Sequence, residues 1–152
     1  MDDKPKPEIT HKSHSFTTTL EWTGERAWTA QTSSCHDIQG GPPVVFGGSG
    51  DRWSPEDLML ASVNTCHLSS FIGYAKRKGF EFVSYTSEIE GLLEFVDTTF
   101  RFTKMVIRPR LVVKSESDIE TAKQHLSRAH DLCFMGHSVI AEVTMEPEVV
   151  AG

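Results

Sequence analysis

Several things are scarce in this 152-residue sequence, and each absence removes a class of function. Lys and Arg form no dense cluster; the nearest approach is Lys76-Arg77-Lys78, and the formal net charge is −6. Phosphate binding needs a concentrated basic surface, so nucleic acid is not expected as a partner. No apolar stretch approaches the ~18 residues that mark a bilayer-crossing helix. The opening Met1-Asp2-Asp3-Lys4-Pro5-Lys6-Pro7 is polar and lacks the apolar centre of a secretory leader. The expectation is a cytoplasmic protein without membrane association. Cysteine occurs three times, as Cys35, Cys66 and Cys133, with no Cys-x-x-Cys and no His-x-x-x-His spacing to anchor a tetrahedral metal site. Cys133 and His137 stand four apart but have no second pair, so no metal is expected. Neither glycine-rich stretch, Gly40-Gly41-Pro42-Pro43 or Gly47-Gly48-Ser49-Gly50, is followed by the Gly-Lys-Ser/Thr of a phosphate loop.

What is present reads as one α+β domain. The apolar fraction is 38% and the charged fraction 24%, a globular composition. A chain of this length buries enough apolar surface to fold without disulfides. Residues 1–12 read as a flexible N-terminal arm and 13–152 as a single domain. Phe16, Thr18, Leu20 and Trp22 alternate with polar residues and predict a strand. Thr23-Gly24-Glu25 turns the chain into a second strand carrying Trp28, Ala30 and Thr32. Val44-Val45-Phe46, between the glycine-rich loops, reads as a short strand.

Ser54-Pro55-Glu56-Asp57 is a strong helix start, with a capping hydroxyl, a proline at the first turn and two acids at the positive end of the dipole. The helix is expected to reach Lys78 and stop at Gly79. Its apolar residues cover most of its circumference, which predicts burial on nearly every side and therefore a second copy of the chain as cover. The segments from Phe80 to Phe95 and from Phe100 to Lys114 read as a long hairpin turned at Asp97-Thr98. Ser117-Asp118-Ile119-Glu120 resembles a capping box opening a second helix. Ile119, Ala122, Leu126, Ala129 and Cys133 share a face of it. Val139, Ala141, Val143 and Met145 give a last strand. Strand runs joined by hairpins with helices inserted imply α+β with mainly antiparallel sheets.

Cysteine is a small hydrophobe and is commonly buried without chemistry, and periodicity by itself favours that role for both Cys66 and Cys133. Cys35 sits beside His36 and Asp37 at a strand end and reads as incidental. In a reducing compartment, however, cysteine pairs are more often catalytic or metal-binding than structural. His67 adjoins Cys66 in sequence, and two neighbours on a helix point in different directions, so no base is placed on the sulfur. His11, His14, His125 and His130 show no ligand spacing and read as solvated.

Three segments carry a resemblance to the OsmC/Ohr family, which includes organic hydroperoxide reductases. They are Ser54-Pro55-Glu56-Asp57-Leu58 with Cys66 ten residues after the glutamate, Ala129-His130-Asp131-Leu132-Cys133 followed by Ser138-Val139, and Trp22-Thr23-Gly24-Glu25-Arg26. The likeness runs from about Phe16 to Val149. It implies an intertwined homodimer of α+β subunits with a long buried central helix. It also implies Cys66 as the peroxidatic thiol, Cys133 as the resolving thiol, and Arg26 and Glu56 as the active-site arginine and glutamate. Peroxide-reducing members usually have Cys-Pro at the second cysteine; here Phe134 follows Cys133, which places the chain nearer the broader OsmC-like branch.

The implied chemistry is thiol peroxidase chemistry without metal or organic cofactor. A free thiol has a pKa of ~8.5, and burial raises it, so a buried attacking sulfur needs a fixed cation. Arginine stays charged when desolvated, and a carboxylate such as Glu56 can hold it in place. Ten helical residues span ~15 Å, so Glu56 and Cys66 of one straight helix do not share a site. If they act together, either the helix breaks or one comes from a partner chain. The aromatic residues Trp53, Phe71, Phe100 and Phe102 suggest organic over inorganic peroxide. The family likeness points to lipoyl-type dithiols or small thiols as reductant. The rival reading is a non-enzymatic dimer that binds an apolar ligand or senses redox state.

Overall fold

The structure, a computed structural model, describes residues 12–152; the expected N-terminal arm therefore lies outside the described residues except at Lys12. The chain divides into two compact units, Met1–Pro55 and Glu56–Gly152.

The first unit is a three-stranded antiparallel sheet of β1 (Thr19–Gly24), β2 (Ala27–Gln31) and β3 (Ile38–Gly40), in that order. The β1–β2 turn uses left-handed backbone at Gly24 (φ 116) and Glu25 (φ 49). The Trp22 indole N–H closes it by donating to the Glu25 carbonyl at 3.0 Å. Trp28 faces Gly40 across the β2–β3 pair, and its ring occupies the space that a Cβ at Gly40 would need. An aromatic ring covering a glycine pins the strand register. Val44–Phe46 is a 3₁₀ turn rather than the expected strand. Pro43 enters it, Gly47 (φ 85) leaves it, and the Gly47 N–H returns to the Val44 carbonyl at 2.9 Å. Three β-branched and aromatic residues between a proline and a left-handed glycine close on themselves before any strand can pair with them.

The second unit begins with α1 (Pro55–Arg77), whose first turn carries Glu56 and Asp57 and whose last carries Lys76 and Arg77, both favourable to the dipole. Gly79 (φ 64) ends it, and the Phe80 N–H reaches back to the Ala75 carbonyl at 2.9 Å. Then follow β4 (Ser84–Val96) and β5 (Thr99–Val113), a hairpin turned at Asp97-Thr98 as the sequence predicts, with Asp97 at φ 58. A 3₁₀ turn over Glu116–Asp118 precedes α2 (Ile119–Asp131). The capping box does not form: Asp118 stands at the N-cap with no side-chain bond to the helix, and Ser115, Ser117 and Asp118 hydrogen-bond among themselves. After α3 (Phe134–Ser138) come β6 (Glu142–Met145) and β7 (Glu148–Ala151).

Both final strands pair in parallel with β5, at Lys104–Ile107 and at Arg110–Val113 respectively. Parallel pairing needs a crossover, and the helical segment between β5 and β6 supplies it. The break between them is chemical. Pro147 has no N–H to give, and it lies opposite the stretch of β5 that holds Pro109, another missing donor. The fold is α+β and mainly antiparallel, with this parallel edge as the exception.

Two apolar clusters form the core of the second unit. One gathers Phe71 and Ala75 of α1, Leu111 and Val113 of β5, and Ala122, Leu126 and Ala129 of α2. The other gathers Val63, Met105, Ile107 and Ala141, with Leu60, Ile89, Phe102, Val139 and Val143 against it. Gly91 of β4 admits Leu60 and Phe102 so closely that a Cβ would stand 2.6 Å from one and 2.7 Å from the other. Within a single chain, α1 buries only the stripe Val63, His67, Phe71 and Ala75, at four-residue spacing. Met59 and Ile72 are 45% and 47% exposed.

Candidate thiol site

Cys66 lies on α1 three residues after Val63, so the two share a side of the helix. Cys133 was expected at the end of α2. The helix instead closes at Asp131, where the Leu132 N–H returns to the Arg128 and Ala129 carbonyls at 3.2 Å. Cys133 is extended (φ −73, ψ 105) and becomes the N-cap residue of α3. Its sulfur accepts a hydrogen bond from the Gly136 N–H at 3.3 Å, and its S–H points to the Val63 carbonyl at 3.7 Å. That contact to α1 brings Cys133 near the Cys66 thiol, close enough for the two sulfurs to act on each other electrostatically. Both are free thiols; Cys133 is 2% exposed and Cys66 half-buried.

Burial pushes the Cys133 thiol up, the Gly136 N–H works against that, and the neighbouring Cys66 thiol adds to the rise. Cys133 is therefore a protonated thiol with its proton held towards the Val63 carbonyl. Cys35, the third cysteine, is exposed and belongs to the first unit.

Glu56 stands in the first turn of α1, and the helix runs unbroken from there past Cys66. The ten intervening residues set the carboxylate and the thiol ~15 Å apart along the axis. The helix break considered from the sequence is thus absent. One carboxylate oxygen, Oε2, is buried without a hydrogen-bond partner. Arg26 belongs to the first unit, where its Nη1 donates to the Phe46 carbonyl at 2.6 Å. A cavity of about 260 Å³ opens beside it, lined by Arg26, Gly47, Gly48, Ser49, Asp51 and Arg52 among others. Gly47 is close enough that a Cβ there would lie 2.8 Å from the same guanidinium nitrogen. Among the described residues no arginine or lysine hydrogen-bonds either Cys66 or Cys133, and no group of three or more His, Cys, Asp or Glu side chains is arranged to hold a metal ion.

The aromatic residues do not form one lining. Phe71 is a core residue, packed on Phe82 and Tyr85 at ring separations of 5.2 and 5.8 Å. Phe100 pairs with Phe95 at the exposed hairpin end. Phe102 packs against the cluster that contains Val63.

The histidines also depart from expectation. His125 is buried between the edges of Tyr74 and Phe80, and His130 is half-buried with an unpartnered Nδ1, so neither is solvated. His67, passed over in the sequence, is fully buried with Nδ1 3.3 Å from the Tyr85 hydroxyl. Its position in the four-residue stripe of α1 was the available signal. Desolvation, helped by the charge that His130 would carry, lowers its pKa from 6.5 to about 4, while the Leu126 carbonyl opposes the drop. A neutral histidine buried in this way makes stability acid-sensitive. Below pH 6.5 the unfolded chain takes up a proton that the folded chain refuses until about pH 4, so stability falls through that window. Between pH 7 and pH 5 the loss from this group amounts to about 2 kcal/mol. Urea unfolding of wild type and His67→Phe at both pH values checks it: the variant's loss should be smaller by about that amount.

Comparison with known proteins places these features in a family. A family profile described as OsmC-like protein matches residues 48–148. An uncharacterized protein of Bacillus subtilis, YmaD, is 24% identical over 139 residues, which cover 89% of this chain and 93% of that one. Among solved structures, an OsmC-like protein of unknown function from Vibrio cholerae superposes with a TM-score of 0.80 at 22% identity, over 89% of this chain and 99% of the other. An organic hydroperoxide resistance protein from Elizabethkingia anophelis superposes with a TM-score of 0.72 at 17% identity, over 93% and 100% of the two chains. Structural likeness at such identities speaks for a shared fold.

Proposed function

Since the chain belongs to the OsmC/Ohr family of OsmC-like proteins, we propose that it is a thiol-dependent peroxidase that reduces organic hydroperoxides through Cys66 and Cys133. The observation that carries this reading is the proximity of the two thiols, one half-buried on α1 and one buried at the start of α3 in the same unit. Neighbouring thiols can close a bond after oxidation of one of them.

The Cys66 thiolate attacks the distal oxygen of the hydroperoxide. The O–O bond breaks, sulfur takes the hydroxyl as a sulfenic acid, and the departing alkoxide picks up a proton to leave as an alcohol. The Cys133 thiol then attacks that sulfur; its proton leaves with the hydroxyl as water, and the disulfide forms. A dithiol reductant returns both cysteines to thiols. In this proposal Arg26 supplies a fixed cation at the reacting sulfur, and Glu56 holds its guanidinium. The partnerless Oε2 of Glu56 supports this, because a buried carboxylate oxygen without a donor is costly. The unbroken helix between Glu56 and Cys66 and the uncovered apolar flank of α1 support a homodimer in which each site draws residues from two chains. The reading treats residues 13–152 as one domain working in the cytoplasm, with no metal or organic cofactor and no nucleic-acid or membrane partner. No helix among the described residues is long and apolar enough to cross a membrane.

The test is consumption of tert-butyl hydroperoxide in the presence of dihydrolipoamide, together with the solution mass. The reading expects turnover by a species of twice the chain mass. Arg26→Gln should slow turnover by about 10²-fold or more, the usual scale for losing a fixed charge at a reacting atom. No turnover by wild type, or full activity in a monomer, would count against it.

A further inference from the structure

Resting on the reading of Cys66 and Cys133 as the redox pair, we infer that reduction of their disulfide is directional: the incoming thiol attacks Cys66 Sγ and Cys133 is the leaving sulfur. Thiol–disulfide exchange proceeds by attack on one sulfur and expulsion of the other, and access helps to choose between them. The two sulfurs differ sharply in that respect. Cys133 is 2% exposed and enclosed by the Val63 carbonyl of α1 and the first turn of α3. Cys66 is the more open of the two, half-buried where Cys133 is closed off.

The surroundings of the departing sulfur agree. The Gly136 N–H already donates to Cys133 Sγ, and the Val63 carbonyl stands ready to receive the S–H once the sulfur is protonated. No backbone amide among the described residues donates to Cys66 Sγ. Burial opposes release of Cys133 as an anion, yet one of the causes that raises its pKa, the adjacent Cys66 thiol, is gone while Cys66 is held in a mixed disulfide. Access decides, because a sulfur that is not reached is not attacked, whatever its partner's quality as a leaving group.

The electrons balance with a dithiol as reductant. Its first thiol loses a proton and bonds to Cys66, and the Cys66–Cys133 bond breaks with its electron pair on Cys133, which takes up a proton. The second thiol of the reductant then displaces Cys66. The protein gains two electrons and two protons, and the reductant leaves as a cyclic disulfide.

The experiment uses the full chain with Cys35→Ser, which removes the exposed third thiol. The disulfide is formed with diamide, so its formation does not depend on peroxide. A monothiol, cysteamine, is added for a brief interval; the reaction is quenched in acid, free thiols are alkylated, and both cysteines are mapped by peptide mass spectrometry. The expected result is the cysteamine adduct on Cys66 and the alkyl group on Cys133, in at least about tenfold excess over the reverse. An adduct on Cys133, an even split, or failure of diamide to link 66 to 133 overturns the inference. A linkage that forms with diamide but not with hydroperoxide defeats the proposed peroxidase function and leaves the direction of attack standing.

Discussion

Cys66→Ser should abolish hydroperoxide reduction, by about 10³-fold or more in turnover, while leaving the unfolding midpoint nearly unchanged. A hydroxyl has almost the size of a thiol, and residue 66 is only half-buried, so the fold loses little. The chemistry loses its nucleophile, because a serine hydroxyl does not ionise at neutral pH and forms no stable product with a peroxide oxygen. Cys133→Ser should behave differently. It should still consume one equivalent of hydroperoxide, then stop with Cys66 as a sulfenic acid that a dimedone-type reagent traps. The two variants together separate attack from resolution. Equal loss of the first oxidation in both would mean that the assignment of roles is wrong.

Phe71→Ala should produce the largest loss of stability among single core truncations, about 3–5 kcal/mol. Phe71 is fully buried at the centre of the larger cluster, between Phe82 and Tyr85 and against the α2 face formed by Ala122, Leu126 and Ala129. Removing the ring leaves a cavity that helices and sheet, held by hydrogen bonds on both sides, cannot fill by collapse. The measurement is a denaturant titration of the variant against wild type, read as a shift in midpoint at constant slope. A loss below about 1 kcal/mol would mean that the site relaxes or that the ring packs less tightly than its contacts indicate.

Sequence patterns revealed some of these features and not others, for physical reasons. The limits of α1 were legible because proline, two acids, a basic end and a stopping glycine all act locally. The long hairpin was legible because Asp97-Thr98 interrupts two strongly β-forming runs. Val44–Phe46 was not, since strand formation needs a neighbour and residue preferences do not reveal whether one exists. The parallel pairing of β6 and β7, and the break at Pro147 beside Pro109, depend on which strand lies next to which.

At the site, Cys66 was easy to place on α1. The position of Cys133 was harder, because its apolar spacing continues the α2 face although the helix closes two residues earlier and the chain turns extended. That change converts a core-facing cysteine into one that meets α1 at the Val63 carbonyl. Four-residue spacing from Val63 and Phe71 puts His67 on the buried stripe, a signal that lies in the pattern of α1 and not in the adjacent Cys66.

Reduced protein is treated with a single equivalent of an organic hydroperoxide and digested under acid without reductant. Two thiols per chain should disappear rapidly, and a peptide pair joined through positions 66 and 133 should form. Persistence of both thiols, or a linkage that includes Cys35, would contradict that pairing.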